Sequence, residues 1–114
     1  MAGLSMGGMQ TQKIVFAHPE LFASAGIFSG GLVLQNDEDD YREFLLNKEN
    51  FAERFNLFFV SCGTQEPFYE STKENAEKVL TAGVPIETFW DYGYHDWTFW
   101  RHCANRFLRL LFKR

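Results

Sequence analysis

The apolar positions of this chain fall into segments whose period changes from one to the next. Met6 to Ala17 holds Met9, Ile14, Val15 and Phe16 among helix-compatible residues and contains no proline. It stops at His18-Pro19, so it predicts a helix closed by the restriction proline places on its predecessor. Pro19 to Phe22 is a short connector. Ala23 to Ser29 predicts a small-residue buried strand closed by Gly30-Gly31. From Leu32 to Asn47 the pattern has neither period until Tyr41–Leu46, which predicts an exposed, partly helical excursion; Asn50 to Phe55 adds one short helical turn. Leu57 to Gly63 is a continuous β-prone apolar run, as expected of a central strand covered on both faces.

Phe68 to Ala82 predicts an amphipathic helix ended by Gly83. Its inward stripe is Tyr69, Ala76, Val79 and Leu80, and Lys73, Glu74, Glu77 and Lys78 face water. Val84 to Tyr92 is a further strand with Pro85 confined to its start. After Gly93-Tyr94-His95-Asp96, apolar Trp97, Trp100, Ala104, Phe107, Leu108 and Leu111 recur at three- and four-residue steps, giving a last helix with a basic end at Arg109, Lys113 and Arg114. Alternating helices and strands predict an α/β fold with a parallel sheet, because parallel strands need crossovers and helices usually supply them.

Composition narrows the picture in three respects. At 114 residues the chain is one domain at most, and 46% apolar with 18% aromatic residues suffices for a core. A net charge of -4 offers no basic stripe, which argues against nucleic acid as a partner. The run Asp37-Glu38-Asp39-Asp40 reads as a solvated face, since four consecutive carboxylates on a loop cannot all turn to one ion. No apolar run approaches the ~20 residues a bilayer span needs, and this stretch shows no signal-peptide pattern. Cys62 and Cys103 sit in apolar patterns and read as buried side chains rather than a disulfide or metal set.

Candidate chemistry begins at Gly3-Leu4-Ser5-Met6-Gly7, the G-x-S-x-G of a nucleophile elbow. On such a strand-to-helix turn, side chains at Gly3 and Gly7 are expected to collide, and the Met6 amide to face a developing oxyanion. Ser5, Glu66 and His95 each follow a strand's carboxyl end, in the order nucleophile, acid, base. His95 is the expected base, since His18 abuts Pro19 and His102 lies inside the last helix. Asp91 and Glu70 stand behind Glu66 as alternative acids, and Asp96 is the expected N-cap of the last helix. Phe68, Tyr94 and Trp97 lie close enough in sequence to stack on a phenolic or sugar ring.

Three stretches, Ala2-Gly3-Leu4-Ser5-Met6-Gly7-Gly8-Met9-Gln10-Thr11, Cys62-Gly63-Thr64-Gln65-Glu66 and Gly93-Tyr94-His95-Asp96-Trp97, together resemble the esterase-D-like esterases, and among them bacterial feruloyl and acetylxylan esterases. The resemblance implies a three-layer α/β-hydrolase sandwich with a mostly parallel sheet. Residues 1–114 would then be the carboxyl-terminal part of the domain, with the strand entering the elbow and the second oxyanion donor in a missing amino-terminal half. It implies Ser5 as nucleophile, His95 as base, and Glu66 at the acid position, where the family usually reads Gly-Thr-x-Asp. The implied reaction needs no metal or organic cofactor and removes acetyl or feruloyl groups from plant polysaccharides or oligosaccharides, with siderophore or thioester hydrolysis behind, in a secreted or periplasmic protein. The competing class is a degenerate, non-catalytic hydrolase module or an inactive fragment.

Overall fold

The computed structural model describes residues 1–32, 49 and 51–113. The acidic run Asp37–Asp40 and most of the excursion expected around it lie outside the described residues, as does Arg114 of the basic end. In chain order the elements are β1 (Ala2–Leu4), α1 (Met6–Ala17), a 3₁₀ turn (Pro19–Leu21), β2 (Ser24–Phe28), α2 (Phe51–Arg54), β3 (Leu57–Gly63), α3 (Tyr69–Thr81), β4 (Glu87–Asp91) and α4 (Trp97–Leu110). The strands form one parallel sheet in the order β1-β2-β3-β4. The expectation that the strand entering the elbow lies outside the chain is corrected here. Ala2–Leu4 pairs with Gly26–Phe28, so a three-residue strand delivers Ser5.

Strand periodicity divides the core. On one face Ala25, Ile27, Phe58 and Val60 pack with Val15 of α1, Phe51 of α2, and Ala76 and Val79 of α3. On the other, Phe28, Leu57 and Phe59 pack with Phe99, Cys103 and Phe107 of α4. The sheet is therefore the middle of three layers, and β3 is buried along its whole length. Each fully buried Phe or Val side chain contributes about 1.5–3 kcal/mol relative to exposure, so α4 is held by its packing stripe more than by helix propensity.

Two stripes differ from the sequence expectation. In α3 the buried positions are Thr72, Ala76 and Val79, whereas Leu80 turns outward. In α4 they are Phe99, Cys103 and Phe107, with Trp97 69% and Leu108 65% exposed. The reason is local shape. Gly26 leaves a recess in β2 that the Phe107 ring fills, and Gly93 lies against Phe99, which together fix the rotation of α4. Asp96 caps this helix as expected, accepting from the Phe99 amide at 3.1 Å.

Glycine is required where backbones touch. A Cβ on Gly3 would run into the Gly7 carbonyl, and one on Gly63 into the Gly93 carbonyl. At Gly7, by contrast, a Cβ meets nothing within 4 Å, so the expected collision there is corrected; the second crowded glycine of the elbow is Gly8, against Gly30. Gly63→Ala is accordingly expected to lower stability by about 1–3 kcal/mol through overpacking. Gly7→Ala should leave it unchanged or raise it by up to about 1 kcal/mol through helix propensity. Urea midpoints of the two variants would check the contrast.

Candidate active site

Parallel strands all present their carboxyl ends to one rim, and the polar residues singled out in the sequence follow those ends. Ser5 sits between β1 and α1 with φ 55° and ψ -126°, a conformation an L-residue adopts only at a cost of about 1–3 kcal/mol. Its amide is anchored by donating to the Phe28 carbonyl at 2.8 Å, which locks the elbow to β2. A serine at this position usually turns its hydroxyl inward to cap the helix. Ser5 makes no such bond, and its Oγ instead lies 3.0 Å from His95 Nε2. Met6 opens α1, where the first amides have no acceptor inside the helix and carry the positive end of its dipole.

His95 stands in the turn after β4. Its Nδ1 lies 2.6 Å from Glu66 Oε1, and because a carboxylate only accepts, Nδ1 carries the proton and Nε2 is left as acceptor toward the Ser5 hydroxyl. Phe68 and Trp100 meet the imidazole edge-on at centroid distances of 5.4 and 5.0 Å, so two aromatic rings pack against it. The loop bearing the acid is stitched to the loop bearing the histidine: Thr64 N–H donates to Asp91 O at 2.9 Å and Gln65 N–H to Gly93 O at 3.0 Å.

Glu66 is 5% exposed, so an unpaired carboxylate there would be costly. Its second oxygen, Oε2, accepts from Gly63 N–H at 2.5 Å, from the Ser29 hydroxyl at 2.8 Å and from the Cys62 thiol at 3.2 Å. The alternative acids are placed elsewhere. Asp91 turns its Oδ1 to the Tyr92 amide at 2.8 Å, and Glu70 is exposed in the first turn of α3. His18 pairs loosely with Glu20 at 3.6 Å on the surface, and His102 is exposed on α4.

A cleft of about 410 Å³ opens beside Ser5. Met6, Met9, Leu32 and Phe68 supply apolar wall, and Ser71 and Asn75 of α3 supply polar groups. Of the three aromatic residues expected near the site, Phe68 lines this cleft. Tyr94 and Trp97 do not: Tyr94 is 52% exposed with its hydroxyl 3.1 Å from that of Tyr92, and Trp97 stacks edge-on against Trp100. Sequence reasoning missed Trp100 and Ser29. Trp100 was hidden in an apolar stripe, whereas Ser29, a polar residue ending a buried strand before Gly30-Gly31, was a readable signal.

Both cysteines are free and buried, as their sequence context suggests. Burial pushes the Cys62 thiol up, helped by its hydrogen bond to Glu66 and that group's negative charge. Burial likewise pushes Cys103 up from 9.0 to about 12. Native protein should therefore resist iodoacetamide at about pH 8 and react at both thiols once denatured. An unfolded Cys103 ionises above 9.0 while the folded one stays protonated to about 12, so its contribution to stability is complete below 9.0 and lost as pH rises through that window. The urea midpoint of the wild type should fall more steeply from about pH 9 to about pH 11 than that of Cys103→Ala.

No family model matches the chain. A curated relative from Xylanibacter ruminicola, named endo-1,4-beta-xylanase/feruloyl esterase, is 32% identical over 114 residues, covering 99% of this chain and 14% of that protein. Among solved structures, a ferulic acid esterase superposes with a TM-score of 0.73 at 21% identity over 96% of this chain and 47% of its own. A fluorophosphonate-binding serine hydrolase from Staphylococcus aureus gives 0.72 at 22% identity, over 96% and 52%. An S-formylglutathione hydrolase from the same organism gives 0.70 at 23%, over 96% and 49%. The chain thus spans about half the length of the solved structures and a seventh of the curated relative. With four parallel strands between helices, a tight turn carrying Ser5, and these relatives, the chain has an esterase-like α/β-hydrolase fold.

Proposed function

We propose that this chain carries the nucleophile, base and acid of a serine carboxylester hydrolase. The observation that carries the reading is the continuous hydrogen-bonded line from Ser5 Oγ through the His95 ring to the buried Glu66 carboxylate, 3.0 Å on one side and 2.6 Å on the other. In the first half-reaction His95 Nε2 takes the Ser5 proton as Oγ bonds to the acyl carbon, and the carbonyl π electrons move onto oxygen. The Met6 amide donates to that oxyanion, aided by the α1 dipole. Collapse breaks the bond to the alcohol, which leaves with the proton from His95, and Ser5 holds the acyl group as an ester. Water then repeats the sequence: His95 takes its proton, its oxygen bonds to the acyl carbon, and Ser5 departs reprotonated. Glu66 keeps the imidazole in the required tautomer and stabilises its cation.

For substrate, the reading is an acetyl or feruloyl ester on a plant polysaccharide or oligosaccharide. It is supported by the name of the 32%-identical relative and by a cleft whose Met6, Met9, Leu32 and Phe68 wall suits a flat phenolic ring, with Ser71 and Asn75 within it for ring substituents. The test compares hydrolysis of methyl ferulate with that of p-nitrophenyl acetate, alongside mass-spectrometric mapping of a fluorophosphonate adduct. Expected are turnover of both esters and an adduct at Ser5. Absence of the adduct and of both activities would reject the reading.

A further inference from the structure

Among the described residues Ser29 carries the hydroxyl that donates to the acid, and its environment is unusual for a serine. It directly follows β2 with φ 52°, in the left-handed region where glycine would be the default, and it is 1% exposed. The conformation is held from both sides. Its amide donates to Ser61 O at 2.9 Å, and the Cα of the next residue, Gly30, packs against Gly8 in the elbow, with the Ser5 carbonyl so close that a Cβ on Gly30 would lie 2.7 Å from it. With the backbone turned this way, the Ser29 hydroxyl reaches Glu66 Oε2 at 2.8 Å.

We infer that Ser29 is a positioning residue that acts through Glu66: its hydroxyl holds Oε2 so that Oε1 faces His95 Nδ1. This inference rests on the esterase reading for its catalytic consequence, but its physical content does not. Glu66 reaches the imidazole on a side chain one methylene longer than aspartate and therefore has an extra torsion to fix. Gly63 N–H holds Oε2 along one direction, and the Cys62 thiol is a weak donor. The Ser29 hydroxyl is the strong side-chain donor that defines the plane of the carboxylate and shares its charge. Because the same turn also packs on the elbow, one residue couples the placement of the acid to that of the nucleophile.

The experiment is an NMR titration of His95 in the wild type and in Ser29→Ala, together with a kinetic cycle on p-nitrophenyl acetate using Ser29→Ala, Glu66→Gln and the double variant. Without that donor the carboxylate is free to turn, Oε1 leaves its line to Nδ1, and the imidazolium loses part of its stabilising partner. The His95 titration in Ser29→Ala should therefore move down by about half a unit or more. In the cycle, Ser29→Ala alone should lower kcat about 10- to 100-fold with KM within about twofold, and cost less than about twofold on the Glu66→Gln background. A His95 titration that stays in place or moves up overturns the inference, as does an equal kinetic cost on both backgrounds. Should Ser29→Ala fail to fold, Ser29→Cys, which fills the site but keeps only a weak donor, is read by the same titration and against the same outcomes. Fluorophosphonate labelling of the wild type separates the two proposals. A moved titration without labelling rejects the esterase and leaves Ser29 positioning Glu66, whereas labelling with an unmoved titration does the reverse.

Discussion

Ser5→Ala is expected to abolish fluorophosphonate labelling and to reduce turnover of p-nitrophenyl acetate on the order of 10⁵-fold, to the residual left by the oxyanion donor and binding. The expectation is specific to the hydroxyl. Alanine keeps the Cβ, so it tolerates φ 55° as serine does, and the Phe28 carbonyl still receives the residue-5 amide. The Ser5 side chain makes no capping bond, so nothing is lost from α1. The urea midpoint should therefore stay within about 0.5 kcal/mol of the wild type, the usual range for a change that removes no cap and leaves no cavity. A variant that folds normally and retains even a tenth of wild-type turnover would mean that another nucleophile is at work. Substituting the neighbouring Met6 should be less damaging, since the oxyanion role proposed for it falls to its amide and its side chain supplies only part of the cleft wall.

What the sequence made legible follows from how locally each feature is determined. The run Leu57–Gly63 needed no tertiary information to be read as a central strand, because a strand covered on both faces has no polar side to show. The α1 boundaries were readable from Ser5 and from His18-Pro19. Helix rotation was not. In α4 the six aromatic and aliphatic residues at three- and four-residue steps describe more than one stripe, and the recess over Gly26 selects Phe99, Cys103 and Phe107. The strand delivering Ser5 was missed because three residues are too few to show a period, and Ala2–Leu4 is a strand only through its pairing with β2.

The candidate site divides in the same way. Ser5, Glu66 and His95 were readable because each lies in the turn or loop beyond a strand's carboxyl end and because parallel topology carries every such end to one rim. The sequence could not choose between Glu66 and Asp91, which lie beyond and at the ends of adjacent strands; the choice depends on side-chain direction, and Asp91 turns to its neighbour's amide. Tyr94 and Trp97 were placed near the site by adjacency to His95, yet adjacent residues on a turn point different ways. Trp100 reaches the imidazole from one helical turn further on.

Glu66→Gln is expected to lower kcat by about 10³–10⁴-fold, with KM little changed, and to cost about 1–3 kcal/mol of stability. The substitution preserves volume and removes a charge, and the structure leaves the amide no satisfactory orientation. If its NH₂ takes the Oε1 position, it donates to His95 Nδ1, and the imidazole proton must move to Nε2, where it points at Ser5 Oγ and the ring can no longer act as a base. If the NH₂ takes the Oε2 position instead, it confronts the Gly63 amide, the Ser29 hydroxyl and the Cys62 thiol, at least one of which is left without an acceptor in a dry site. The first arrangement is the cheaper, because His95 can exchange tautomers and is partly open to solvent, with 35% of its side chain exposed. Inactivity in a folded protein is therefore the expected outcome, rather than unfolding. Asp91→Asn provides the contrast: among the described residues its carboxylate accepts from the Tyr92 amide alone, a bond the asparagine oxygen can also accept, so kcat should stay within about twofold of the wild type. A large loss in Asp91→Asn alongside a mild one in Glu66→Gln would transfer the acid to β4 and undo the assignment of the buried carboxylate.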